Sequence, residues 1–104
     1  METLMGAKAA LVQALIVGPG YGLDLIERVR ERSGGQIKLG QGSVYPALRS
    51  LEREGLVESY EGAAMPERGG RPRRYYRLTA LGEQAADFQR EGLLQFLSAA
   101  PVMP

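Results

Sequence analysis

Apolar positions along the chain recur first at helical and then at strand spacing. Leu4, Leu11 and Leu15, with Val12 and Ile16, predict a first helix of about three turns or more, from near Thr3 to Val17. Gly18-Pro19-Gly20 ends it. A second helix from about Tyr21 to Arg32 sets Leu25, Ile26 and Val29 on one side and leaves Glu27, Arg28, Glu31 and Arg32 to solvent. Ser33-Gly34-Gly35 terminates that helix, since glycine accepts the left-handed backbone that closes one. Gln36 to Leu39 alternates briefly, which predicts a minor strand or an extended link.

Val44, Leu48 and Leu51 form the stripe of a third helix that reaches about Glu54 and stops at Gly55. The period then changes. Leu56 to Tyr60 and Arg74 to Leu78 have the β-branched and aromatic content of two strands, joined by a Gly-, Pro- and Arg-rich connection into a long-tipped hairpin. Thr79 is a natural N-cap for a fourth helix in which Leu81, Ala85 and Phe88 keep helical spacing and Leu93, Leu94, Phe96 and Leu97 extend the apolar character. Pro101 to Pro104 read as a frayed tail. The order predicts a mainly α fold with a small antiparallel β-hairpin: a winged helix-turn-helix.

Composition narrows the chemistry. At 104 residues, 44% hydrophobic and 24% charged, the sequence fits one compact domain without disordered bulk. Within it, residues from about 3 to 78 make a core with its wing, 79 to 98 a long terminal helix, and 99 to 104 the tail. Cysteine and histidine are both absent, which removes a disulfide framework, thiolate metal sites and the commonest general base. An enzyme limited to carboxylates and tyrosines would draw on Glu52 and Glu54, yet a helix rotates those two about 200° apart. No cofactor and no enzymatic activity are expected. The apolar run Ala9 to Val17 is broken by Gln13 and falls far short of the roughly 20 residues that cross a bilayer. With no small-x-small cleavage pattern after it, a cytoplasmic protein without a membrane partner is the expectation.

Charge is placed rather than spread. Glu67 to Arg77 reads E-R-G-G-R-P-R-R-Y-Y-R, five arginines against Glu67 or +4, in a chain whose net charge is only +1, so the remainder sums to −3. A Gly-Gly turn carrying guanidinium groups and running into Tyr75-Tyr76-Arg77-Leu78 has what a nucleic-acid-binding wing needs. Arg68, Arg71, Arg73 and Arg74 are assigned to the DNA backbone or minor groove. The competing reading is a solvated charge run. Strand alternation aims Arg77 at Glu58 across the hairpin instead.

If Val44, Leu48 and Leu51 face the core, Tyr45, Arg49 and Glu52 or Arg53 fall on another face, where an inserted helix would meet DNA. The planar fork of Arg49 suits guanine or phosphate oxygens, and the Tyr45 hydroxyl suits phosphate. The alternatives are that Tyr45 packs on the wing base and that Arg49 pairs with Glu52. Gln41, Gly42 and Ser43 lie at the helix N-terminus, whose free amides and positive dipole end favour phosphate. Propensity alone would make Ser43 the N-cap, with Pro46 at the third helical position.

Four segments in this order resemble the PadR-type transcriptional regulators: Tyr21-Gly22-Leu23-Asp24-Leu25-Ile26, Gly42-Ser43-Val44-Tyr45-Pro46-Ala47-Leu48, Leu51-Glu52-Arg53-Glu54-Gly55-Leu56-Val57 and Gly70-Arg71-Pro72-Arg73-Arg74-Tyr75-Tyr76-Arg77-Leu78-Thr79. The likeness covers most of the chain and is to the small members with a single C-terminal dimerisation helix. It implies a homodimeric, double-stranded-DNA-binding repressor, a third helix starting near Gly40, and a last helix that builds much of the dimer contact. It also allows a small apolar effector at the dimer seam. The residues expected at the seam are Phe88, Leu93, Phe96 and Leu97 of the fourth helix with Leu4, Leu11 and Leu15 of the first, more apolar surface than so small a core absorbs. A winged-helix module that docks another protein without touching DNA is the alternative.

Overall fold

A computed structural model describes residues 6–64, 69 and 72–98. In chain order the elements are α1 (Ala7–Leu15), β1 (Gly20–Tyr21), α2 (Gly22–Arg32), α3 (Gln41–Arg53), β2 (Val57–Ala64), β3 (Pro72–Leu78) and α4 (Ala80–Ser98). The three strands form one antiparallel sheet in the order β1-β3-β2. Three helices and a wing are therefore as expected. The two-residue β1, which pairs Gly20 with Tyr76 and Tyr21 with Tyr75, was not foreseen.

Leu11, Leu25, Val44, Leu48, Leu51 and Val57 are the largest fully buried side chains; Leu25, Val44, Leu48 and Leu51 come from the helical stripes read in the sequence, whereas Leu11 was expected at a dimer seam. α2 closes as its glycines dictate: Gly34 and Gly35 hold φ of 64° and 83°, and the Gly35 amide donates to Arg30 O at 2.7 Å. Gln36 to Leu39 forms no strand. Its Ile37 amide is taken by Ser33 Oγ at 2.9 Å, while Ile37 and Leu39 lean on the core, so the segment is a packed link.

α3 starts from Gly40, whose carbonyl accepts from the Ser43 and Val44 amides. Ser43 is thus inside the first turn rather than the cap, and Pro46 sits within the helix. Gly55, at φ 76°, closes α3 with the Leu56 amide reaching back to Leu51 O. Thr79 caps α4 as expected: its Oγ1 accepts from the Gly82 amide at 3.0 Å and donates to Gly55 O at 2.6 Å, tying the helix start to the end of α3.

Two faces differ from expectation. Arg28 does not reach for solvent. Its guanidinium donates to the carbonyls of Ala14 (3.1 Å), Gly18 (2.7 Å) and Pro19 (2.9 Å) and pairs with Asp24 at 2.9 Å, so it satisfies the free carbonyls where α1 ends. On α4 the buried residues are Gly82 and Ala86, a face that hydrophobic spacing did not mark, while Leu81 is exposed together with Phe88, which was expected at the seam. The reason is size: a Cβ at Gly82 would stand 1.9 Å from Leu56 O, so the smallest side chains let the helix lie close. Gln13 Nε2 completes the contact by donating to Ala86 O at 3.0 Å and Gln89 Oε1 at 2.8 Å. Among the described residues no helix is long and apolar enough to cross a membrane.

Candidate nucleic-acid interface

A cleft of about 440 Å³ opens between the start of α2, the exposed face of α3 and strand β3. Tyr45, Arg49 and Glu52 form its α3 wall, Arg73, Arg74 and Tyr76 its wing wall, and Tyr21, Gly22 and Leu23 its end. At about 100° per residue Gln41, Tyr45, Arg49 and Glu52 fall within roughly 80° of one another, which is why one stripe of α3 fills the wall.

Tyr45 is half-buried, and its ring lies against the start of α2. A Cβ at Gly22 would come within 2.5 Å of Tyr45 Cε1 and Oη, so the absence of a side chain at that position seats the ring. Arg49 is exposed and, among the described residues, makes no salt bridge. The expected alternative pairing with Glu52 does not form, because Glu52 Oε2 instead accepts from Ser59 Oγ at 2.6 Å.

Strand alternation divides the wing arginines. Arg74 shares the inner face of β3 with buried Tyr76 and donates to Ser59 Oγ at 2.7 Å. Arg73 lies on the outer face, its guanidinium 4.3 Å from the Tyr21 ring centroid and its buried Nε without a hydrogen-bond partner among the described residues. Arg77 pairs with Glu58 at 2.7 Å and stands 4.9 Å from the Tyr60 centroid, as alternation predicts. Between these guanidinium groups the rings of Tyr21, Tyr75 and Tyr60 pack edge to face and stacked, at centroid distances of 5.6 and 5.7 Å. Gly62 makes room for them, since a Cβ there would sit 2.3 Å from Tyr75 Cε1.

Tyr76 threads the core to the cleft. Burial pushes its phenol above the usual tyrosine range, opposed by the positive charges of Arg74 and Arg49 and reinforced by Glu52 and Tyr45.

The structure brings Tyr45, Arg49, Arg73 and Arg74 to one cleft and leaves Gln41, Gly42 and Ser43 exposed at the start of the same helix. Arg68, Arg71 and Leu4 lie outside the described residues. Phe88 is 81% exposed and Phe96 79%, with Leu93 and Leu97 exposed beside them on α4. Leu11 and Leu15, expected at a dimer seam, are buried in the protomer's own core and offer a partner no surface. Sequence reasoning missed Tyr21 to Leu23, Ser59 and Tyr76. Period-two alternation would have set Arg74 and Tyr76 on one face and Arg73 on the other, but a two-residue strand leaves no such trace.

A model of the transcriptional regulator PadR-like family matches residues 11–87. The chain belongs to the PadR family. A relative from Lysinibacillus sphaericus, named as an uncharacterized protein, is 29% identical over 63 residues, covering 61% of this chain and 55% of that protein, so the match spans about half the relative's length. Among solved structures, a transcriptional regulator from Clostridium thermocellum superposes with a TM-score of 0.73 at 23% identity, over 88% of this chain and 82% of that one. Bacillus subtilis PadR, solved in complex with operator DNA, gives 0.63 at 22% identity, over 93% of this chain and 49% of that one. At these identities the likenesses establish the PadR winged-helix fold, four helices with a three-stranded sheet. The family is one of transcriptional regulators.

Proposed function

We propose that this PadR-family regulator is a homodimeric repressor that reads a palindromic operator in double-stranded DNA with α3, while its Arg-rich wing contacts phosphate or the minor groove. The observation that carries the reading is the convergence of Tyr45, Arg49 and Arg74 on one open cleft between helix and wing. Gln41, Gly42 and Ser43 extend the same surface along α3, and Arg68 and Arg71 would add charge at the wing tip. The sharing of this fold with Bacillus subtilis PadR, which was solved on operator DNA, supports it.

The dimer follows from α4. Leu81, Phe88, Leu93, Leu94, Phe96 and Leu97 all stand exposed on one helix, an apolar surface that a second copy would cover. Two protomers would then present their α3 helices to half-sites about one DNA turn, roughly 34 Å, apart. A small apolar effector would act from that seam by changing how the two copies sit.

The test is an electrophoretic shift with the DNA upstream of the protein's own gene, repeated at several salt concentrations. The parent should bind with an affinity that falls steeply as salt rises. Arg49→Ala should weaken operator binding more than random-DNA binding, whereas Arg74→Ala should weaken both. Parent affinity in both variants would remove the assigned surface. Retention of a protein partner with no salt-dependent DNA binding would favour the interaction-module alternative.

A further inference from the structure

Glu52 is the anomaly of the cleft. A carboxylate beside Tyr45, Arg49 and Arg74 repels the polyanion that the proposed function places there, and its side chain lines the same wall. It is not paired with its helical neighbour Arg49. Instead Glu52 Oε2 accepts the Ser59 proton at 2.6 Å, and Ser59 Oγ in turn accepts from Arg74 Nη1 at 2.7 Å. The single hydroxyl proton of Ser59 is used on Glu52, so its lone pairs are free for Arg74. Both bonds are then charge-assisted and of matching polarity.

The sheet sets up this arrangement. Ser59 lies opposite Tyr76, and Arg74 lies opposite Glu61 two residues along β3, so Arg74 reaches Ser59 diagonally on the inner face. Glu52 approaches from the last turns of α3. The chain of three residues thus links the reading helix to the wing.

We propose that Glu52, acting through Ser59 Oγ, is a positioning residue that holds the Arg74 guanidinium aimed into the cleft before DNA arrives. This rests on the DNA-binding reading of the same cleft. A freely rotating arginine loses its rotamer freedom on binding, and one already held does not. The repulsion of one carboxylate is the cost of that order.

The two roles of Glu52 predict opposite signs. If it only repels, Glu52→Ala tightens binding to every DNA. If it positions Arg74, Glu52→Ala, which removes the acceptor of the Ser59 proton, weakens operator binding even though a negative charge has gone. Fluorescence anisotropy with a labelled operator duplex and a scrambled duplex of equal length separates them. Ser59→Ala should cost operator affinity about two- to tenfold, the range for immobilising one long side chain. Ser59→Thr, which keeps the hydroxyl, should restore it. Ser59→Ala should add nothing in an Arg74→Ala background, because the relay then has no cargo. In the free protein the Arg74 side-chain NH signals should be ordered by NMR relaxation in the parent and in Ser59→Thr, and mobile in Ser59→Ala.

Operator binding by Ser59→Ala equal to the parent, or tighter binding by Glu52→Ala, would overturn the positioning role while leaving DNA binding intact. A parent that binds neither duplex at low salt would overturn the DNA reading itself and with it the purpose assigned to the relay. The NMR comparison then separately decides whether the relay orders Arg74.

Discussion

Replacing Gly82 with alanine pits two known effects against each other on one residue. Alanine is worth up to about 1 kcal/mol over glycine within a helix, so a sequence-based argument expects stabilisation. The structure reverses the sign. The new Cβ would stand 1.9 Å from Leu56 O, 3.0 Å from Leu56 C and 3.1 Å from a Leu78 methyl. Carbon–oxygen contacts are comfortable only from about 3.3 Å, so α4 must retreat by more than about 1 Å. The obstacle is backbone, anchored by the Thr79 amide bonding to Leu56 O at 3.1 Å, and it cannot swing aside as a side chain would. Retreat also loosens the Gln13 bonds to α4 and the packing of Ala86, which is 1% exposed.

Overpacking of this kind costs about 1–3 kcal/mol, and a contact this short to fixed backbone belongs at the upper end, so the net loss after the helix gain is about 2 kcal/mol. For a domain of this size that lowers Tm by about 10 °C. Thermal melts followed by circular dichroism, at one fixed protein concentration because self-association shifts Tm, provide the measurement. Gly42→Ala is the control: nothing lies within 4 Å of its Cβ position, so it should melt at or slightly above the parent. A Gly82→Ala protein as stable as the parent would refute the close approach of α4 to the Leu56 backbone.

Arg28→Met should lower stability by about 2–3 kcal/mol, because it strands the Ala14, Gly18 and Pro19 carbonyls and the Asp24 carboxylate; a urea midpoint within error of the parent would contradict the clamp. Tyr76→Phe should change the pH dependence of stability. The folded Tyr76 phenol titrates above its unfolded value of about 10, so its contribution is fully present below that value and is lost as pH rises through the raised folded one. The stability of the parent relative to Tyr76→Phe should therefore hold below about pH 9 and decline as pH rises past about 10, and a constant difference in denaturation experiments would refute the shift.

The helices were legible because each advertises a stripe and a stop. Val44, Leu48 and Leu51 appear as read, and the glycines at 34, 35 and 55 end their helices for the reason given. α4 was legible as a helix, but not the face it packs, since hydrophobic spacing does not mark Gly82 and Ala86, which close backbone packing selects. The same limit hid β1, too short to carry a period, and Arg28, whose partners are backbone carbonyls and leave no mark on composition. In the cleft, Tyr45, Arg49 and Arg74 came from helix face and charge. The Ser59 link did not, because hydrogen bonds between side chains far apart in sequence have no spacing rule.

The seat of the Tyr45 ring on Gly22 has a mechanical consequence. With no slack between the two helices, α3 cannot be re-angled within a protomer without lifting an aromatic ring off backbone. In a pair of protomers, then, the adjustable quantity would be the distance and tilt between whole subunits. Each reading head would travel as a fixed tooth on a rigid gear, and a signal arriving at the terminal helix would reach DNA only by turning the gear.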